Sequence, residues 1–413
     1  MKNQTRIFGV AILILFLILP GAFAAENSDV SGYITIWEHN FSFKDSLEEI
    51  ISAFQTIYPN VEVDYAIKAD GDYDSLLKLA IQSGSGPDLF WTNGTATSTM
   101  RDLVEQGVCV DLADMVNFDF ISDNALELAQ IGDGIYSVPW MSMDTRTCYY
   151  NKDMFEQYGW SIPETLDEFQ ALLSTIKASG ITPISLSGDI WCILFIYEPV
   201  LAACDPVYSA KLRDDSVSAT DAPARKAWEL LVDWADKGYF GAGWMSVADS
   251  DAQNFAFATG KTAMAIGGSW DAVIISKNNP LLNFGAFAIP ANDGTVGLVG
   301  TSANGFSVNV ASKNIDAALA FAAFCAGKQA QTLWVQSLGA VSGSGEIEAS
   351  TQIAKEISES GRGVVYRSWQ NVLSSKSPSG NAFAIYERDI RKVFTKELST
   401  DEFMDELDAQ LEM

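Results

Sequence analysis

Gly260-Lys261-Thr262-Ala263-Met264-Ala265-Ile266-Gly267-Gly268-Ser269-Trp270-Asp271 reads as a helix end, a short apolar strand and a glycine turn. A small-residue helix carrying Phe255 and Phe257 stops at Gly260, Ala263 to Ile266 form the strand, and two glycines turn the chain so that Trp270 is carried past the strand end. A tryptophan so placed either packs under a neighbouring helix or faces a ligand, and its company decides between the two. Other strand-like runs end the same way. Ser31 to Ile36 alternates and ends in Trp37-Glu38-His39, Leu89-Phe90 ends in Trp91-Thr92-Asn93, and the strand Ile181 to Leu186 is followed by Trp191.

Working outward, a helix is expected from about Ser46 to Tyr58, with Leu47, Ile50, Ile51 and Phe54 on one face and Pro59 ending it. Val61 to Tyr65 is the next strand. This is a βαβ opening, which predicts a parallel sheet with ligands at the carboxyl ends of its strands. Asp70-Gly71-Asp72-Tyr73-Asp74 begins like a calcium loop but fails at the sixth position, Ser75 instead of Gly, and the twelfth, Ile81 instead of Glu. An acid-rich start to a helix reaching Gln82 is the better account. Further helices are expected over Ala222 to Tyr239, Ile315 to Ala326 and Gln329 to Leu338, with Trp228, Trp234 and Trp334 in the core and Trp244 undecided. Thr165 should cap the helix containing Phe169, with Glu168 at the reciprocal position of a capping box.

The first 24 residues have the pattern of an export signal: Lys2 and Arg6, an apolar run from Phe8 to Leu19, and Ala22-Phe23-Ala24 before the cleavage point. An uncleaved, membrane-anchored form is the alternative. The sequence carries 26 basic and 53 acidic residues, for a net charge of -27. Such a chain offers no basic face for nucleic acid. About 390 mature residues exceed a single core, so two lobes are expected. Of the five cysteines, Cys192 and Cys204 are near enough in sequence for a disulfide, with free thiols at least as good a reading. One histidine, His39, argues against zinc or serine-triad chemistry. No phosphate-binding loop is present.

The W-E-H after the first strand, Tyr58-Pro59-Asn60-Val61-Glu62-Val63, and Ser83-Gly84-Ser85-Gly86-Pro87-Asp88-Leu89-Phe90-Trp91 follow the order of family 1 extracellular solute-binding proteins. Gly134-Ile135-Tyr136-Ser137-Val138-Pro139, Tyr149-Tyr150-Asn151-Lys152-Asp153-Met154-Phe155, Gly159 to Phe169 (Leu166 where tryptophan is usual) and Gly260 to Trp270 resemble the family's later motifs in the right order. The resemblance spans nearly all of 32–400. It implies a type II periplasmic-binding-protein-like α/β fold, two lobes joined by a hinge of three crossings, maltose-binding-protein-like in plan. The expected division is 1–24 signal, 25–143 plus 290–338 first lobe, and 144–289 plus 339–413 second lobe.

The implied function is capture of a mono- or oligosaccharide in the cleft and its delivery to the permease of an ATP-binding-cassette importer. A monomer outside the cytoplasmic membrane, periplasmic or at the cell surface, with no cofactor and no metal, is expected. Sugar rings offer apolar faces to aromatics and hydroxyls to carboxylates and amides. The candidate contacts are Trp37, Glu38, His39, Asn40, Trp91, Asn93, Trp140, Asp144, Trp191, Trp270, Asp271, Asn304 and Trp369, with Glu198 as a further possibility. Asp88 is expected to bond a neighbouring backbone turn instead. Two rival readings are a receptor for a polyamine or other small polar solute, which acids and aromatics would also suit, and a secreted glycosidase, for which no spaced acid pair stands out.

Overall fold

The computed structural model describes residues 29–411, apart from 69, 97, 215, 378 and 379. The expected export signal lies outside the described residues. One long ladder of strands runs through the molecule in the order Val61–Ile67, Gly32–Glu38, Leu89–Thr92, Leu298–Val308, Val138–Asn151, Thr262–Gly268 and Thr182–Ser185. The first three strands are parallel, as the βαβ opening predicts, with Gly32 opposite Val61 and Ile36 opposite Leu89.

Two large hydrophobic cores sit on this ladder. The first gathers Ile34, Ile36, Leu47, Ile50, Phe54, Leu89, Phe306, Phe321 and Trp334. Helix Lys44–Ile57 supplies Leu47, Ile50, Ile51 and Phe54 from one stripe, the spacing that an amphipathic helix needs. The second core gathers Phe169, Leu173, Ile184, Ile193, Trp228, Trp234, Met264, Ile266, Trp369 and Tyr386. Trp244, undecided from sequence, is buried in it.

The lobes join where three segments meet. Opposite Ser302 and Ala303 the register with the long strand Val138–Asn151 jumps from Met143 to Trp140, and Val341–Ser342 pairs with Met143 and Ser142 at the same level. Bulges at such a point let a strand bend without losing its ladder on either side. Gly305 is required here, because a Cβ would lie 1.7 Å from the Val138 carbonyl oxygen.

Past the boundary expected at 290, Leu298 packs with Tyr149, Phe257 and Ala265, Asn292 exchanges hydrogen bonds of 2.9 and 3.1 Å with Asp167, and Leu298–Gly300 pair with Val365–Arg367. Leu298–Val308 is a single strand shared by both lobes, and nothing in its composition marks where it changes sides. The capping detail also differs. Thr165 Oγ1 accepts from Glu168 N at 3.2 Å as expected, but the Glu168 carboxylate takes the N–H of Glu164, one residue upstream of the reciprocal position.

All five cysteines are free. Cys192 and Cys204 sit near opposite ends of helix Ile190–Cys204, about 18 Å apart at 1.5 Å per residue and far beyond disulfide reach. No helix among the described residues is long and apolar enough to cross a membrane.

Candidate functional site

The first-lobe wall is built at the carboxyl ends of Gly32–Glu38 and Leu89–Thr92. Tyr73 pins those ends together, its hydroxyl donating to the carbonyls of Trp37 at 3.2 Å and Trp91 at 3.0 Å. Glu38 is fully buried. Its Oε1 accepts from the His39 backbone N–H at 2.7 Å and lies 2.6 Å from His39 Nδ1, with the Asn40 N–H at 3.3 Å. Its Oε2 is buried without a partner among the described residues.

An aromatic stack runs from the first core to this wall. Trp140 lies 4.3 Å from Trp334 at an interplanar angle of 6°; Trp334 stacks on Trp91 at 6.0 Å, and Trp91 on His39 at 5.0 Å. This order corrects two expectations. Trp140 is wholly buried and Trp91 is 4 % exposed, so the rings at the surface of the wall are His39 and the half-buried Trp37, whose indole carries the Lys68 ammonium 4.5 Å above it. Trp91 reaches Asn93 through its Nε1, 3.3 Å from Oδ1. A strand-end position does not reveal that a second ring will cover the first.

The second-lobe wall centres on Trp270. Strand Thr262–Gly268 runs through both glycines, and Trp270 is the N-cap of helix Asp271–Asn278. The indole is not carried outward; it folds back over Gly268, where a Cβ would stand 2.2 Å from the ring. It remains half-buried, edge-on to Phe195 at 5.4 Å. Trp191, also half-buried, faces Phe383 at 5.3 Å. Helix Ile190–Cys204 presents Trp191 and Phe195 one turn apart, and Asp189 caps it by accepting from Trp191 N at 2.9 Å.

Asp271 is not in this wall. It is 2 % exposed, accepting from Asn254 Nδ2 at 2.7 Å and Gly268 N at 2.9 Å. Burial pushes its carboxyl up to about 7 against those two donors, so it braces the turn from inside. Trp369 is likewise internal, 1 % exposed, with its Nε1 donating to the Ala219 carbonyl at 2.8 Å. The Asn304 side chain lies outside the described residues; its backbone is in the shared strand at the crossing.

Asp144 and Arg146 lie on strand Val138–Asn151 just past the register shift, two residues apart and so on one face. Asp144 keeps some solvent contact, yet burial raises its carboxyl to about 6, opposed by the charges of Arg146 and His39. The Arg146 guanidinium lies 4.0 Å from the Phe195 ring and 5.4 Å from Trp270, and its Nε donates to buried Glu198 at 2.8 Å. Arg146, Phe195 and Tyr73 were not legible in the sequence as site residues. The period-two relation of Arg146 to Asp144 and the four-residue step from Trp191 to Phe195 are the signals that carry them. Asp88 serves the backbone as expected, accepting from Thr35 N and Oγ1, each at 2.8 Å. The lobes also touch at the periphery, through Lys277 and Asp45 at 3.1 Å and Arg101 Nη1 to the Ser374 carbonyl at 3.4 Å. Among the described residues no group of three or more metal-ligating side chains is present.

Two hydrophobic cores on one ladder, with aromatic and polar side chains on the strands and helices that flank its register shift, fit the class of hinged solute-binding proteins. The chain belongs to the bacterial extracellular solute-binding protein family, whose model matches residues 40–332. It is 25% identical over 306 residues to the multiple sugar-binding protein of Streptococcus mutans, covering 72% of each chain. It is 26% identical over 282 residues to the diacetylchitobiose binding protein DasA of Streptomyces coelicolor, covering 64% of this chain and 63% of that one. Among solved structures, a chitin oligosaccharide binding protein superposes with a TM-score of 0.77 at 21% identity, covering 92% of this chain and 98% of the other. RafE in complex with raffinose gives 0.70 at 22% identity over 92% and 98%.

Proposed function

We propose that the protein is an extracytoplasmic receptor that binds a mono- or oligosaccharide between its lobes and hands it to the permease of an ATP-binding-cassette importer. The observation that carries the reading is the position of Asp144, in electrostatic reach of His39 on one side and, on the other, of Arg146, which Phe195 and Trp270 flank. Rings of this kind cover the C–H faces of a sugar, and the carboxylates take its hydroxyl protons. The sugar-binding names of several relatives support the same class. Glu38, His39, Asn40, Asn93, Trp37, Asp144, Trp191 and Trp270 are the proposed contacts.

The receptor works as a monomer without enzymatic activity, exported by the signal at 1–24 to the periplasm or cell surface. Its lobes comprise 25–143 with about 303–338, and 144–302 with 339–413, a division supported by the segregation of the two cores. A thermal-shift and tryptophan-emission screen against a carbohydrate panel, with polyamines as controls, tests the function. Binding raises the melting temperature by linkage and shifts the emission of the half-buried indoles. A protein that responds to polyamines and to no carbohydrate refutes it, and chain cleavage of an oligosaccharide during incubation would restore the glycosidase reading.

A further inference from the structure

Arg146 is held on three sides. Its Nε edge is fixed by Glu198 Oε2 at 2.8 Å, and Glu198 is in turn held through Oε1 by the Gln370 N–H at 3.1 Å. Phe195 and Trp270 lie within 4.0 and 5.4 Å of the guanidinium carbon. The side chain is 4 % exposed, yet its Nη1 is buried with no hydrogen-bond partner among the described residues. Such a donor in a buried site needs an explanation, because nearly all buried polar groups are paired.

The first-lobe wall holds the converse group, Glu38 Oε2, an acceptor that is also buried and unpartnered. Asp144, for which no hydrogen bond to another described residue is seen, stands in electrostatic reach of both Arg146 and His39. On either side of Asp144 there is thus an unpaired cationic donor at Arg146 and, next to His39, an unpaired acceptor at Glu38. A hydroxyl satisfies both kinds at once, since it accepts through its lone pairs and donates its proton. A protonated amine satisfies only the carboxylates, leaves Arg146 Nη1 unpaired and is repelled by the guanidinium charge.

We propose that Arg146 is a specificity-determining residue of the cleft: its Nη1 donates to an oxygen of the bound solute, and its fixed charge rejects cationic solutes that the surrounding acids would otherwise attract. This rests on the reading of the inter-lobe gap as the solute site and decides between the two solute classes that an acidic, aromatic cleft leaves open. Glu198, Phe195 and Trp270 fix the guanidinium so that little side-chain freedom is lost when the solute arrives.

The test uses the mature full-length chain as wild type, Arg146→Lys, and Arg146→Met combined with Glu198→Gln, which removes the charge without stranding its partner. Titration calorimetry is run with raffinose, maltotriose, xylotriose, diacetylchitobiose, galacturonate and putrescine. The wild type is expected to bind at least one of the saccharides and not putrescine. Arg146→Lys keeps a cation opposite Glu198 but has no second nitrogen to offer, so saccharide affinity falls about 10- to 100-fold, as for loss of a hydrogen bond to a charged group. The Met/Gln variant loses saccharide affinity similarly and gains measurable putrescine binding, which a purely structural arginine would not produce. Saccharide affinity of Arg146→Lys within about threefold of wild type, or a Met/Gln variant that still rejects putrescine, overturns the role of Arg146 alone. A wild type that binds putrescine, or none of the saccharides, overturns the saccharide reading and this inference with it.

Discussion

Replacing Asp144 by Asn should stabilise the solute-free protein at neutral pH while weakening its binding. The Asp144 carboxyl rises from 3.8 to about 6 in the folded protein, chiefly because burial penalises its charge. A carboxyl raised in this way favours the native state below its ordinary value and loses that contribution as pH climbs through the folded value, so ionised Asp144 is a liability above pH 6. The rise corresponds to about 3 kcal/mol at ~1.4 kcal/mol per pKa unit. Asn keeps the shape and cannot ionise. For a chain of this length about 1–2 °C accompanies each kcal/mol, so the melting temperature at pH 7.5 should rise by about 3–6 °C. Near pH 4, where the native carboxyl is already protonated, the two proteins should melt together. Differential scanning fluorimetry from pH 4 to 8.5 reads the divergence, and the same plates with saccharide read the weakened binding as a smaller ligand-induced shift. Equal melting temperatures at pH 7.5, or a gap that is widest near pH 4, would refute the placement of an unpaired carboxyl at the bend. The trade of stability for a charged binding group is what a functional site is expected to show.

Trp270→Ala should weaken saccharide binding by about 1–3 kcal/mol and leave the fold intact, whereas Trp369→Ala should cost about 3–5 kcal/mol of stability because it empties a fully buried site; paired urea melts and binding isotherms separate the two. Gly268→Ala places a methyl where the Trp270 ring now lies, 2.2 Å from its atoms, so the indole must swing away; affinity should fall about as far as in Trp270→Ala, by calorimetry, with secondary structure unchanged by circular dichroism. Reductant should leave the melting temperature unchanged, since no disulfide links Cys192 to Cys204; a drop on adding it would contradict the helix that holds them apart.

The sequence by itself determined the βαβ opening, the helices over about 46–58 and 315–326, the capping role of Thr165 and the core places of Trp228, Trp234 and Trp334, since these follow from periodicities of two and 3.6 and from local hydrogen bonds that neighbours in the chain can make. It also marked strand ends as the place to look for a site, and Trp37, His39, Trp191 and Trp270 do keep partial exposure there. Only the tertiary structure decided which ring covers which. Trp91 and Trp140 read like Trp270 in sequence, but a stack through Trp334 seals them in and leaves His39 outermost, a contact between residues far apart in the chain. Asp271 is turned inward by Asn254 and the Gly268 N–H, and Arg146 becomes part of the site through Glu198, some fifty positions on. Leu298–Val308 shows the same limit: it is one strand whose two ends are claimed by different cores, and strand formation is indifferent to which core is waiting on its face.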